Sequence, residues 1–207
     1  MPVLRLQGEN NVIIRVTTMI SYLVWLNLLT LLCCIPIVTA GAAFTAMHEQ
    51  LQLISRREEG YITRRFFTTF RSNLKQATLL WLPFMLIFAG CVADVVILMT
   101  SPGLIPNYIM IPAGAAGLIA WFVFQWVFPL QARFEGGFGV VMRMAFLLSA
   151  ARFPRTFFMA AAGILTILAA GSLITLPFVV LFGLSVPAMI SVKLYRQVFE
   201  NLEKDDK

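Results

Sequence analysis

The chain carries few groups that could do chemistry. Its one histidine, His48, is followed by Glu49. That is half of an H-E-x-x-H zinc motif, and no second histidine completes it. Cys33 and Cys34 are adjacent and so project from different faces of a helix, and Cys91 stands alone. Neither a disulfide nor a thiolate metal set is expected from that spacing. There is no G-x-S-x-G elbow and no P-loop. The expectation is a chain that is not an enzyme, with no catalytic residues, no metal and no cofactor. His48 is expected to be a solvated or capping residue.

Three polar groups stand out because they interrupt apolar runs: Asn27, Asp94 and Gln125. An ionisable group inside a membrane span is a functional candidate by default. Asp94 could therefore contact an outward cavity, a partner helix or a polar ligand. It could also be wetted at the interface, or bonded to Asn107 or Tyr108. Asn27 and Gln125 are weaker candidates, since buried amides often serve to join helices, at about 0.6 kcal/mol per contact.

The stretch RREEGYITRRFFTTFRSNLK, residues 56–75, holds six of the sixteen Lys and Arg residues. No nucleic-acid motif accompanies it. A basic, Phe-rich helix suits the headgroup boundary. Arg64, Arg65 and Arg71 are the candidates for contact with an acidic partner surface; lipid headgroups are the alternative occupant.

The elements that must position these residues follow from composition. The 207 residues are 59% hydrophobic and 13% charged, against about 25% charged in an average soluble domain. No Asp, Glu, Lys or Arg occurs between Arg15 and Glu49 or between Arg155 and Lys193, and only Asp94 lies between Lys75 and Arg133. A spanning helix needs roughly 20 apolar residues. The expected fold is an all-α, single-domain, polytopic membrane helix bundle with about five spans, near 17–38, 75–100, 107–131, 155–175 and 178–196. The turns fall at Ser101–Asn107 and Thr175–Phe178, where Pro and Gly break helices. The apolar core Val16–Val38 exceeds the roughly 7–15 residues of a signal h-region, so it is expected to remain as a span.

Three short amphipathic segments are expected on the basic side: 41–58, 61–73 and 138–151. In the first, Phe44, Met47, Leu51 and Ile54 form an apolar face. Thr45, His48, Glu49, Gln52 and Arg56 form a polar, solvated one. The chain breaks near Pro36 to begin it. The order of surface helix, basic turn and span occurs twice, before 75–100 and before 155–175, and suggests a parallel repeat. Small residues at Ala113, Gly117 and Ala120, and at Ala162, Thr166 and Ala170, suit close helix packing. If the 56–75 loop is cytoplasmic, fourteen basic residues lie inside and two, Arg5 and Arg15, outside. The positive-inside rule then predicts N-terminus out and C-terminus in.

The segments LNLLTLLCCIPIVTAGAAFTAMHEQL and GYITRRFFTTFRSNLKQATLLWL resemble the YesL family of small bacterial membrane proteins, as does the later FLLSAARFPRTFF. Pro36, Thr39, Gly41, Ala43, Ala46, Phe66 or Phe67, Phe70, Asn73, Lys75, Gln76 and Trp81 carry the likeness. The resemblance implies a bacterial cytoplasmic-membrane protein with an accessory role in carbohydrate uptake, beside the permease subunits of an ABC importer. It implies no defined activity, sugar or stoichiometry. The alternative is a small substrate-binding or transport membrane protein. Membrane lipid is an expected partner on either reading; nucleic acid is not.

Overall fold

The computed structural model describes residues 12–56, 58, 60–100, 107–134 and 136–205, and among these all regular structure is helical. The order is α1 (Val12–Cys34), a 3-10 turn (Ile37–Thr39), α2 (Ala40–Arg56), α3 (Ile62–Thr100), α4 (Asn107–Gln131), α5 (Phe138–Ala151), α6 (Phe153–Ala170), α7 (Leu176–Phe182) and α8 (Ser185–Asp205). Helices α1, α3, α4 and α6 are long and apolar enough to cross a bilayer; α7 and α8, bent by 48° at their junction, make a fifth span if taken together. Leu165 and Leu168 are each 69% exposed, and Leu173 and Ile174 more than 80%. Apolar surface of that kind is stable against lipid and is an aggregation site in water. The protein is an all-α membrane bundle.

The core lies towards the charged ends of the helices. Trp126, Tyr195, Phe66, Phe128 and Phe199 are fully buried there, joined by an aromatic network from Phe44 and Trp81 to Phe124 and Phe128. Trp126 Nε1 donates to Thr156 Oγ1 at 2.9 Å, Trp121 Nε1 to the Ala160 carbonyl at 3.2 Å and Trp81 Nε1 to the Ile37 carbonyl at 2.9 Å. These indoles tie helices together inside the bundle instead of marking an interfacial belt. The α4 stripe packs as its small residues predict: a Cβ on Gly117 would stand 2.6 Å from Cys91 Sγ of α3. On α6 the close approach to α4 is made at Gly163, while Ala170 of the expected stripe is exposed.

Several expectations are corrected. The segments 61–73 and 75–100 form one helix, α3, of 39 residues. It is about 58 Å long, against a hydrocarbon core of about 30 Å. The charge change at Lys75 marks a change of surroundings; no Gly or Pro lies between Ile62 and Pro83 to break the helix. The counterpart before α6 does break, at Arg152, with Pro154 in the first turn of α6. The two halves therefore do not share one local architecture. The fifth span, expected as a straight 178–196, is divided into α7 and α8. Pro187 has no N–H to offer the Gly183 carbonyl one turn back. The fourth ends at Ala170, capped by Gly171, not at 175.

A further correction concerns α1. Trp25, in the middle of α1, donates to Thr63 at the start of α3 (2.9 Å), whereas Ile37, beyond the end of α1, accepts from Trp81, eighteen residues further along α3. Thus α1 and α3 advance in the same sense. The break expected near Pro36 is present, and α2 returns antiparallel to both, with Glu49 beside Thr69 and Gly41 beside Ala77. The pair α1–α2 is a hairpin that starts and finishes at the charged end. Its tip, Ile35 to Val38, is exposed and apolar. The start of α1 consequently lies on the same side as the start of α3 and the second half of α8, where Arg196 meets Ser55. The start of α1 and the second half of α8 therefore share one end of the bundle, while residues 1–11 lie outside the described residues. Residue 15 joins the basic end, which sharpens the charge asymmetry on which the orientation was argued. Arg5 and the turn 101–106 lie outside the described residues.

Candidate functional site

The charged end of the bundle carries two arrangements, one exposed and one buried. The exposed one is a ridge on α3. Arg64, Thr68, Arg71 and Lys75 are all exposed and follow one another at i, i+4, i+7 and i+11, which places them on a single helical stripe. It runs for about 16 Å. The opposite side of the same turns is anchored: Ile62, Phe66 and Thr69 are buried against α2. The ridge is therefore a rigid extension of a span. The three candidate arginines divide. Arg64 and Arg71 stand on the ridge, and among the described residues their side chains make no hydrogen bond or ion pair. Arg65, also exposed, is engaged: its Nη1 donates to the Glu58 carbonyl at 3.2 Å, and its charge acts on Glu49. Lys75 was not singled out from the sequence, although its i+11 spacing from Arg64 was there to be read.

The buried arrangement gathers around α2. Its polar face is largely withdrawn from solvent: Thr45, Gln50 and Gln52 are buried, His48 and Glu49 are half-buried, and Arg56 is exposed, because α2 is packed against α1, α3, α4 and α8. Gln52 Nε2 donates to the Pro129 carbonyl (3.2 Å) and, at a long 3.4 Å, to the Tyr195 hydroxyl. Nδ1 of His48 lies 3.3 Å from that same hydroxyl. Burial lowers the His48 pKa to about 3, so the imidazole is neutral and can accept the tyrosine proton. Burial raises the pKa of Glu49, opposed by a hydrogen bond with Thr69 and the charge of Arg65. Beside this knot, Arg56, Arg133 and Arg196 converge from α2, the end of α4 and α8 around Gln52, Ser55 and Tyr195. The cleft they line holds about 10 Å³, room for no more than a water molecule. It joins helices and is too small for an organic ligand. A second polar chain runs from Gln76 to Gln131 to Asn73 (3.1 Å each), with Gln76 also donating to the Gly136 carbonyl.

The intramembrane candidates are not brought together. Asn27 is fully buried at the α7–α8 junction. Its Nδ2 donates to the carbonyls of Val180 (2.7 Å) and Val179 (3.4 Å), and its Oδ1 accepts from the N–H groups of Leu184 (2.8 Å) and Ser185 (3.0 Å). The amide is saturated, with no capacity left for a ligand; it is a clamp on the broken helix. Gln125 lies against the close approach of Gly163, and among the described residues its side chain makes no hydrogen bond. Asp94 is partly exposed on α3, six residues before its end, flanked by the exposed Val92, Val95 and Val96. Among the described residues it makes no hydrogen bond or ion pair. The side chains of Asn107 and Tyr108 lie outside the described residues. No group of three or more potential metal-ligating side chains occurs among the described residues.

Residues 23–95 match the family model described as Protein of unknown function, DUF624. No curated protein and no solved structure matches the chain. The matched segment runs from within α1 to just past Asp94. It includes Asn27, the second half of α1 with all of α2, and the whole basic ridge, and excludes Gln125.

Proposed function

We propose that the protein is a non-catalytic accessory or assembly subunit of a carbohydrate ABC importer, of the YesL type, in a bacterial cytoplasmic membrane with its charged end inside. The observation that carries this reading is the ridge of Arg64, Arg71 and Lys75 on the projecting part of α3. It is rigid, exposed and continuous with a span. The long apolar helices already hold the chain in the bilayer, so the ridge is not needed for membrane residence. A partner's carboxylates held by arginine forks would use both its charge and its fixed spacing. Asp94, on the same helix, is placed in this reading as a polar contact to a partner's membrane helix.

The alternative of a small-solute carrier has less support. The 10 Å³ cleft does not admit a sugar, and a groove of about 660 Å³ between α3, α4 and α5 is almost wholly apolar. The test is affinity purification in mild detergent from cells expressing the importer. With Arg64, Arg71 and Lys75 changed to Gln and Arg65 retained, abundance and unfolding temperature should be unchanged. Recovery of the permease subunit should fall, and added salt should mimic the loss. Undiminished recovery of an authenticated permease from the triple variant would remove the ridge from the interface. A wild-type preparation that carries a stoichiometric solute and no permease would favour the carrier.

A further inference from the structure

A groove of about 660 Å³ opens on the surface between α3, α4 and α5. Pro83 and Ile87 of α3, Ile119 of α4 and Phe146 of α5 are among its walls. One charged side chain lines it, Arg143 of α5. Helix α5 is apolar and 14 residues long, too short to cross the hydrocarbon core. It starts at the charged end, where Gln76, next to Lys75, donates to the Gly136 carbonyl. Arg143 lies seven residues on, at most about 10 Å from that level, and is exposed. An arginine at that depth can carry its guanidinium to the headgroup region while its stem stays in apolar surroundings.

We infer that this groove binds an anionic phospholipid, one acyl chain lying between α3 and α4 and the phosphate held by Arg143. The bilayer supplies both halves of that ligand in one molecule at high local concentration. A transmembrane helix seated in the groove would need an acidic residue placed opposite Arg143. A zwitterionic lipid carries its own cation, which competes with Arg143 for the phosphate. Basic pockets between membrane helices at the positive side are suited to anionic headgroups on the same grounds. The volume lies within the 300–1,000 Å³ common for small-molecule sites. This inference is independent of the importer reading.

The groove offers a substitution at its wall that leaves the fold undisturbed. At Gly139, which also lines it, an added Cβ would meet no atom within 4 Å, so Gly139→Leu places a side chain in open space, and leucine favours the helix over glycine. The experiment is native mass spectrometry of the full chain in mild detergent, titrated with phosphatidylglycerol and phosphatidylcholine of matched chains. The wild type should retain phosphatidylglycerol at about fivefold lower concentration than phosphatidylcholine, the ratio given by one cation near an anionic headgroup. Arg143→Gln should bring the two titrations together. Gly139→Leu should weaken both, with the unfolding profile of each variant unchanged. Equal retention of the two lipids by the wild type, a headgroup preference that survives Arg143→Gln, or unaltered binding by Gly139→Leu would each overturn the site. So would a stable dimer that retains neither lipid.

Discussion

Asn27 offers the most exact test of how this bundle is held. Replacing it with leucine keeps the γ-branched shape, puts two bulkier methyl groups in place of the amide oxygen and nitrogen, and removes both halves of the amide. The change abolishes three short hydrogen bonds of 2.7–3.0 Å and one long one of 3.4 Å. It leaves the N–H groups of Leu184 and Ser185 without that acceptor, in a junction where α7 and α8 cannot continue each other's ladder. Interhelical hydrogen bonds in membranes average about 0.6 kcal/mol and reach about 1.7. Three of them give roughly 2–5 kcal/mol, with the upper part favoured because the orphaned groups stay away from water. For a chain of this size each kcal/mol moves the midpoint by roughly 2–4 °C, so Asn27→Leu should lower the unfolding temperature by about 4–20 °C in a fixed detergent. Asn27→Asp retains the acceptor towards Leu184 and Ser185 and loses the donor towards Val179 and Val180, so it should fall between. A thermal scan that reads intrinsic fluorescence or cysteine exposure provides the measurement. A shift of less than about 1 °C for Asn27→Leu would refute the clamp and reopen the possibility that Asn27 serves a ligand.

Gly41 should tolerate no larger residue, because a Cβ there would lie 2.4 Å from the Ala77 carbonyl oxygen and 2.7 Å from Trp81 Cβ; Gly41→Val should cost about 1–3 kcal/mol, seen as lower yield and an earlier melt. The His48 imidazole has a pKa of about 3 in the fold against about 6.5 unfolded. The unfolded chain therefore binds a proton that the folded chain refuses, and stability is complete above about pH 6.5 and falls by up to 1.4 kcal/mol per unit below it. Glu49, with its raised pKa, acts in the opposite sense just above the ordinary carboxylate range. Comparison with His48→Gln isolates the histidine, and equal pH slopes for the two proteins from pH 7 to pH 5 would contradict its burial. Sidedness follows from the α1–α2 hairpin: with the native cysteines removed, a cysteine at Ile14 and one at Ser72 should react with an impermeant thiol reagent from the same face of the membrane, and one at Thr100 from the other. Labelling of Ile14Cys with Thr100Cys instead would restore α1 as a full crossing.

The sequence alone determined the fold class, since charge-free runs of this length can be stable only as helices in a bilayer. It also located the basic end, because charge segregation is a property of composition along the chain. The Arg64–Thr68–Arg71 stripe was legible too, as helical spacing is local; its continuation to Lys75 was missed because the segment was expected to end at 73. Tertiary structure decided what surrounds each face. The polar residues of α2 read as a solvated surface; enclosure by four other helices turns that face into a buried knot on Tyr195, which lies 147 residues from His48. The direction of α1 was hidden for the same reason. Periodicity is unchanged when a helix is reversed, and only the pairings of Trp25 with Thr63 and of Ile37 with Trp81 distinguish a full crossing from a hairpin arm. Asn27 shows the limit most directly: an amide in an apolar run announces that it needs partners, but the partners are the backbone groups of a break more than 150 residues away, created by a glycine and a proline whose own positions say nothing of α1.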